Sequence, residues 1–574
     1  MLDALGRTTG QVYLDGTRAT FTLDAAGEQT TMQDVTGVTT LLWDNEGRQV
    51  GVMNGAGKAL SFTLDPAGNR SVLLDSDGGL TTYTHDEQNR LTGIVNPYNE
   101  FTTIQHDALD REVKKTLGNG MIVSQLYDAA GRELALWNVG PTGVGLAIYT
   151  ASYDPVGNRL NNIELDGTRV TWAYDPSNQL INEKRSGTNS YNTTYLYDPV
   201  GNRAVKNDSG ALTSYSYNPA NELTLMQPPT GQPTTSLWDA NGNLAVENAG
   251  GSITTNSWDG ENRLIGVAYS SGAPDSMTYS AEGLRQKKVT GSGTTGFVWD
   301  EQNLLLETDG SGVTQAHYTA YPGYWGGLQS RRRSGASSFY GFDPQANDRI
   351  LASGAGGISD SYLYKAFGEE LAISGSTVNP FRFGALVQYY RDLANRLDVR
   401  ARVLQPDLGR WMSRDPLGRR GYGYAGNAPT GRIDPSGRQA VTAHESPGAC
   451  YARVYPWLRQ RGSSPYAACQ GANTYCGSHV PCGPPPPGPP QPPPRKAFKC
   501  EEKEVKAPEC FKCLAVKYLW CPECYSDCYI YCEDTYGDDS EYPSPHLFEL
   551  CSALCEASRI ICIAGCEFKF EIGM

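Results

Sequence analysis

Fifteen cysteines crowd residues 450–566 of this 574-residue chain, and none precedes them. Thiols at such density either pair as disulfides or ligate a metal. Cys521, Cys524, Cys528 and Cys532 fall at i, i+3, i+7 and i+11, one face of a helix. Cys551, Cys555, Cys562 and Cys566 fall at i, i+4, i+11 and i+15, again one face. The two stripes predict an antiparallel helical hairpin bridged by Cys532–Cys551, Cys528–Cys555, Cys524–Cys562 and Cys521–Cys566. The rival is zinc, because Cys510 with Cys513 and Cys521 with Cys524 make two Cys-x-x-Cys pairs. Their seven-residue gap is short for a zinc ribbon, and further cysteines abound, so disulfides are favoured and no metal or cofactor is expected. An odd count leaves one thiol free or paired with another chain. His444, His479 and His546 stand in no recognisable nuclease or hydrolase spacing.

A second chemistry is spread over the first half of the chain. Asp3, Asp24, Asp44, Asp65, Asp86, Asp107, Asp128, Asp154, Asp175, Asp198, Asn218, Asp239, Asp259, Ser280 and Asp300 recur at steps of mostly 20 or 21 residues. Calcium would need about 6–8 oxygen ligands, and each repeat brings roughly one carboxylate. Turn formation fits better. An Asp or Asn opening a type I turn accepts hydrogen bonds from the backbone ahead, and the closing residue takes positive φ. Three places after the anchor stands Gly or Asn in every case but Asp110. The residue before it is usually Tyr, Trp, Leu or His, and Tyr153, Tyr174 and Tyr197 are expected to pack in the core or across strands rather than to bind sugar.

These corners need strands to position them. A second turn falls midway through many units, at 15–17, 55–58, 76–79, 118–120 and 166–168, leaving two strands of seven or eight residues per unit. In 17–24 the residues Ala19, Phe21 and Leu23 face one way, with Arg18, Thr20 and Thr22 opposite. The expected fold is therefore mainly β: a long antiparallel ribbon of about thirty strands, too many for one open twisted sheet, so it must coil or close on itself. Abundant Gly and Tyr with 19% charged residues agree with an all-β chain. A net charge of −14 argues against nucleic acid as the partner of the β array. No apolar run approaches a membrane span, no signal peptide opens the chain, and Met1 begins inside a repeat, which predicts a longer parent. The triple Arg at 331–333 reads as a solvated loop.

The heptapeptide YDPVGNR occurs at 153–159 and again at 197–203. At this period it resembles the Rhs/YD-repeat family, over about residues 1–438. The later part resembles the family's repeat-associated core domain, with its pieces in order: NPFRF (379–383), RARVLQPDLGRW (400–411), SRDPLG (413–418), GNAP (426–429) and DPSG (434–437). The resemblance implies a ribbon spiralling into a hollow shell, a core-domain plug at one end, and a variable C-terminal effector held as cargo. In several relatives the plug is an aspartyl autoprotease. By that comparison Asp415 matches a catalytic carboxylate, Arg414 and Asp434 support it, and cleavage falls at Gly437 or Arg438. Two features depart from the pattern: Arg438 stands where Leu is usual, and only two residues separate SRDPLG from GYGY.

The expected organisation is a YD array over 1–310, a core domain over 311–438, a Cys-containing Pro-rich linker over 439–496, and a Cys-rich, helical module over 497–574. The leading functional expectation is a secreted or cell-surface shell that encloses or presents its own C-terminal segment, with an upstream capping protein or delivery system as partner. The alternatives are an extracellular adhesin binding a cell-surface glycan, and an autoproteolytic toxin carrier.

Overall fold

The structure, a computed structural model, describes residues 1–13, 16–323, 325–392, 395–417 and 421–442. All fifteen cysteines, and with them the disulfide hairpin and the zinc alternative, lie outside the described residues. One antiparallel sheet of 35 strands spans residues 10–374, each strand hydrogen-bonded to its neighbours in the chain. A four-stranded sheet follows between Tyr390 and Trp411, then a short pair, Arg432–Ile433 with Val441–Thr442. The only helical turns among the described residues are 3-10 turns at Ala385–Val387 and Tyr424–Asn427. No helix there is long and apolar enough to cross a membrane. The fold is the mainly β ribbon that the period predicts. Its strands are mostly five to seven residues, shorter than expected, and the ribbon crosses residue 310 unbroken to end at strand Glu370–Ser374.

The corners explain the repeat. At Asp128, Oδ1 accepts the amides of Ala130 (2.9 Å) and Arg132 (2.8 Å), while Oδ2 accepts Nε of Arg132 (2.6 Å). Gly131 closes the turn at φ +80°. Burial raises the proton affinity of this carboxyl, and the Arg132 amide and guanidinium more than reverse that, holding it below the usual carboxylate range. Arg132 then reaches the carbonyl of the next anchor, Asp154, at 3.0 Å. Where the fifth residue is Asn, an amide relay replaces the guanidinium: Asn202 donates to Asp198 and, at 2.9 Å, to Asn221 of the following corner. The aromatic before the anchor ties each unit to the one before, as when the Tyr153 hydroxyl donates to the Glu133 carbonyl (2.7 Å) and Trp238 Nε1 to that of Leu223 (2.8 Å). Each such bond contributes about 1 kcal/mol, and the series makes one corner the template for the next.

Two expectations need correction. Asp110, the apparent exception, adopts φ +61° and closes its turn like a glycine, because Asp tolerates the left-handed region better than most side chains. The true exception is Asp300: it pairs directly with Asn303 across a tight turn in which Glu301 takes φ +53°. The arginines at 331–333 are not a loop either. They end strand Leu328–Arg333, and Arg331 is 1% exposed with its guanidinium on the carbonyl of Val378.

The ribbon winds back on itself, and the contacts measure the winding. The amide of Ala281 reaches Asp34 across 247 residues of sequence, and Arg70 pairs with Asp300 across 230. Asn138 meets the Phe342 carbonyl across 204, Glu183 meets the Ala366 amide across 183, and Asp208 pairs with Lys365 across 157. The coil takes up fewer residues as it proceeds. First-coil strands such as Ala59–Leu64 alternate exposed and buried, whereas Asn303–Thr308 in the second coil is buried at every position. The largest core cluster joins Trp172 and Tyr195 of the first coil, Tyr318 and Tyr340 of the second, and Phe381, Tyr389 and Trp411 of the segment beyond the ribbon.

Candidate functional site

The segment 379–442, where the family resemblance expects a plug, packs against the ribbon, and its sequence motifs each have a seat there. Asn379 donates to Asp348 Oδ2 (2.9 Å) and accepts from the Phe381 amide and the Tyr340 hydroxyl. Phe381 lies edge-on to Tyr318, and Phe383 to Tyr364 and Tyr389. The other motifs read the corners of successive repeats. Arg410 binds Asn202 Oδ1 and the Asn221 carbonyl, and Tyr422 binds the Gly242 carbonyl (2.9 Å). Asn427 donates to Gln179 and, at 2.7 Å, to the Gly201 carbonyl, while Thr430 meets the Tyr174 hydroxyl. The plug is thus registered against four consecutive corners.

At its centre the two carboxylates implied by the family resemblance come together through a residue that the sequence reading passed over. Arg402 Nη2 lies 3.1 Å from Asp434 Oδ2, and Nη1 lies 3.4 Å from Asp415 Oδ2. Arg402 is 4% exposed, Asp434 2% and Asp415 9%, and the Trp411 ring covers the guanidinium at 4.2 Å. Burial raises the proton affinity of Asp434, Arg402 and the amides of Gln439 and Arg438 oppose it, and Asp415 adds to the rise; the net displacement is upward. Burial likewise weakens the hold of Arg402 on its own proton.

The backbone around the expected cleavage point meets the same cluster. Arg402 Nε donates to the carbonyl of Gly437. Asp434 Oδ1 accepts the amide of Arg438 at 3.0 Å and that of Gln439 at 2.9 Å. Tyr389 brackets Asp434, donating its hydroxyl to the Asp434 carbonyl (2.7 Å) and accepting the Asp434 amide (3.0 Å). Gly437 sits at φ +67°, and a Cβ there would stand 2.3 Å from the Val399 carbonyl oxygen, so only glycine fits. Gly437 is buried and Arg438 exposed. The exposed Arg414 lies beside Gly242, and its charge acts on Tyr422.

One bond, Gly437–Arg438, therefore has its carbonyl oxygen on a guanidinium and its nitrogen on a carboxyl of raised proton affinity. The guanidinium polarises the acyl carbon, and the Asp434 carboxylate, accepting the Arg438 N–H, fixes the amide nitrogen in place. Among the described residues no group of His, Cys, Asp and Glu is arranged to hold a metal ion. Arg402 was legible only as one of several arginines in RARVLQPDLGRW; nothing in its spacing marks it as the shared partner of residues 13 and 32 places on.

No family model matches the chain. A segment is 34% identical over 107 residues, 17% of this chain, to salivary gland surface protein 1 of Aedes aegypti, and covers 3% of that protein. Among solved structures, a crystal structure of TcdB2–TccC3–Cdc42 aligns with 73% of this chain at 14% identity and a TM-score of 0.38, and a Photorhabdus luminescens Tc holotoxin pore aligns with 74% at 15% identity and a TM-score of 0.36. A TcdB2–TccC3 structure without its hypervariable C-terminal region aligns with 73% at 15% identity and a TM-score of 0.39. The chain spans less than a third of the chains it aligns with in these structures, covering 30%, 28% and 28% of them in turn.

Proposed function

We propose that this chain is a carrier whose plug cuts the Gly437–Arg438 bond and so frees the C-terminal segment as cargo. The observation that supports it is the convergence of Asp415, Asp434, Arg402 and the Gly437 carbonyl. In the reaction, a water oxygen adds to the Gly437 carbonyl carbon while Asp415 takes one of its protons. Arg402 stabilises the oxyanion, Asp434 holds the Arg438 N–H, and Asp415 passes the proton it took from water to the Arg438 nitrogen as the C–N bond breaks. One water is consumed, and an acid and an amine are formed. A secreted or cell-surface setting, an upstream capping or delivery partner, and the cargo's retention by the ribbon belong to the same proposal.

Intact-mass measurement of the purified chain tests the reading. A fragment ending at Gly437 is expected, and Asp415→Asn or Asp434→Asn should abolish it. A chain that stays whole under all conditions ends the proposal. Adhesion to a surface glycan has less support, since the polar tips of the repeat aromatics are bonded to backbone carbonyls. A glycan array would detect it.

A further inference from the structure

The turn at 300–303 breaks the corner rule, and three other parts of the molecule hold it. From the first coil, Arg70 donates to Asp300 at 2.5 Å and to Glu301 at 3.2 Å, with the Arg70 side chain 10% exposed. From the loop between Ala320 and Leu328, Asn303 receives the Gly326 amide and donates to the Gly323 carbonyl, both at 2.8 Å. From the plug, Gln388 completes the adjoining strand edge, its Oε1 accepting the Leu304 amide (2.6 Å) and its Nε2 donating to the Leu304 carbonyl (3.2 Å). Also from the plug, Arg400 places Nε and Nη2 on the Gln302 carbonyl at 3.0 and 2.6 Å.

Arg400 does not stop there. Its Nη1 donates to the Pro435 carbonyl at 2.7 Å. The Ala401 amide donates to the Ser436 carbonyl at 3.2 Å, and Arg402 Nε donates to the Gly437 carbonyl. Three consecutive residues thus hold three consecutive carbonyls leading to the bond at 437–438. Arg400 itself sits at φ +56°, a conformation unfavourable for a non-glycine residue that persists only where its surroundings enforce it.

Resting on the self-cleavage reading above, we propose that the 300–303 turn is a closure checkpoint: winding the second coil onto Arg70 fixes the Gln302 carbonyl, which seats Arg400, which seats the loop to be cut. Arg70 and Arg400 are positioning residues for that reaction, and cleavage waits until the ribbon has closed. A chain still unwound keeps its cargo attached.

The test uses the full chain in two backgrounds. In the unaltered background, Arg70→Met and Arg400→Met each slow cleavage at least ten-fold, and Arg70→Lys, which keeps a cation on Asp300, recovers part of the rate. In an Asp434→Asn background, which holds the loop intact, the same variants speed amide hydrogen exchange at 432–442 about ten-fold while strand Ile122–Tyr127 stays protected. Asp208→Ala, which breaks a coil-to-coil contact with Lys365 elsewhere, leaves cleavage and loop exchange near the parent values. If Arg70→Met proves unable to fold, Asp300→Asn removes the charge and keeps the shape. Cleavage at the parent rate in Arg70→Met, with 432–442 as protected as before, overturns the coupling. A parent chain that is never cut overturns the self-cleavage reading alone, since the exchange measurement still decides whether the turn controls the loop.

Discussion

Strand Ala59–Leu64 and strand Asn303–Thr308 belong to the same ribbon, yet only the first shows the alternation of a half-buried strand. The first coil keeps a face toward solvent, so Leu60 and Phe62 are buried while Ala59, Ser61 and Thr63 are not. The second coil lies between the first coil and the plug, and every side chain from Asn303 to Thr308 is covered. Corner chemistry is common to both regions and makes the ribbon. What differs is how much is stacked upon it, and with that the cost of disturbing it. Where both faces are covered, polar groups such as Glu307 are also enclosed and must find partners, here Tyr318 and Arg333.

The largest effect should come where charge is buried inside the plug. Arg402→Met would leave Asp415 and Asp434 without their cation, and a loss of about 3–5 kcal/mol is expected in chemical denaturation, with a smaller loss if the plug unfolds apart from the ribbon. Next, Leu306, fully buried in the second coil, and Leu237, 64% exposed, set the two environments side by side. Leu306→Ala should cost about 3 kcal/mol and Leu237→Ala within about 0.5 kcal/mol; equal effects would erase the contrast between doubly and singly covered ribbon.

A third measurement uses pH. Burial pushes the Asp398 carboxyl up to about 6 against the attraction of Arg285. The folded chain therefore binds this proton more tightly than the unfolded chain. The stability involved is fully present below about pH 4 and is lost as pH rises through 6, by roughly 2–3 kcal/mol. Asp398→Asn should flatten that part of the profile, read as the difference between the two proteins. Last comes the first-coil tie itself: Tyr153→Phe removes the donor to the Glu133 carbonyl and should cost about 1 kcal/mol.

Much of the ribbon was legible because its cause is local. An Asp followed by a residue tolerant of positive φ closes a corner within five positions, and the period merely repeats it. The same locality hid the function of the fifth residue: whether Arg132 or Asn202 reaches the next corner depends on strands pairing at the right offset. At the site, Asp415 and Asp434 were legible through a family resemblance, and their neighbours were not. Arg402 joins residues far apart in sequence, and Tyr389, which brackets Asp434, reads in sequence as one more aromatic.

The sequence alone determined that this chain is an antiparallel meander with corners about every 21 residues, since each corner is built from residues that touch along the chain. Tertiary structure alone decided which corner would break the rule. Asp300 has an anchor's spacing, but Arg70 of the first coil draws its carboxylate away and Arg400 of the plug takes the neighbouring carbonyl. A buried ion pair and a charge-assisted hydrogen bond outweigh the local turn preference there, and neither partner is within reach until the ribbon has coiled.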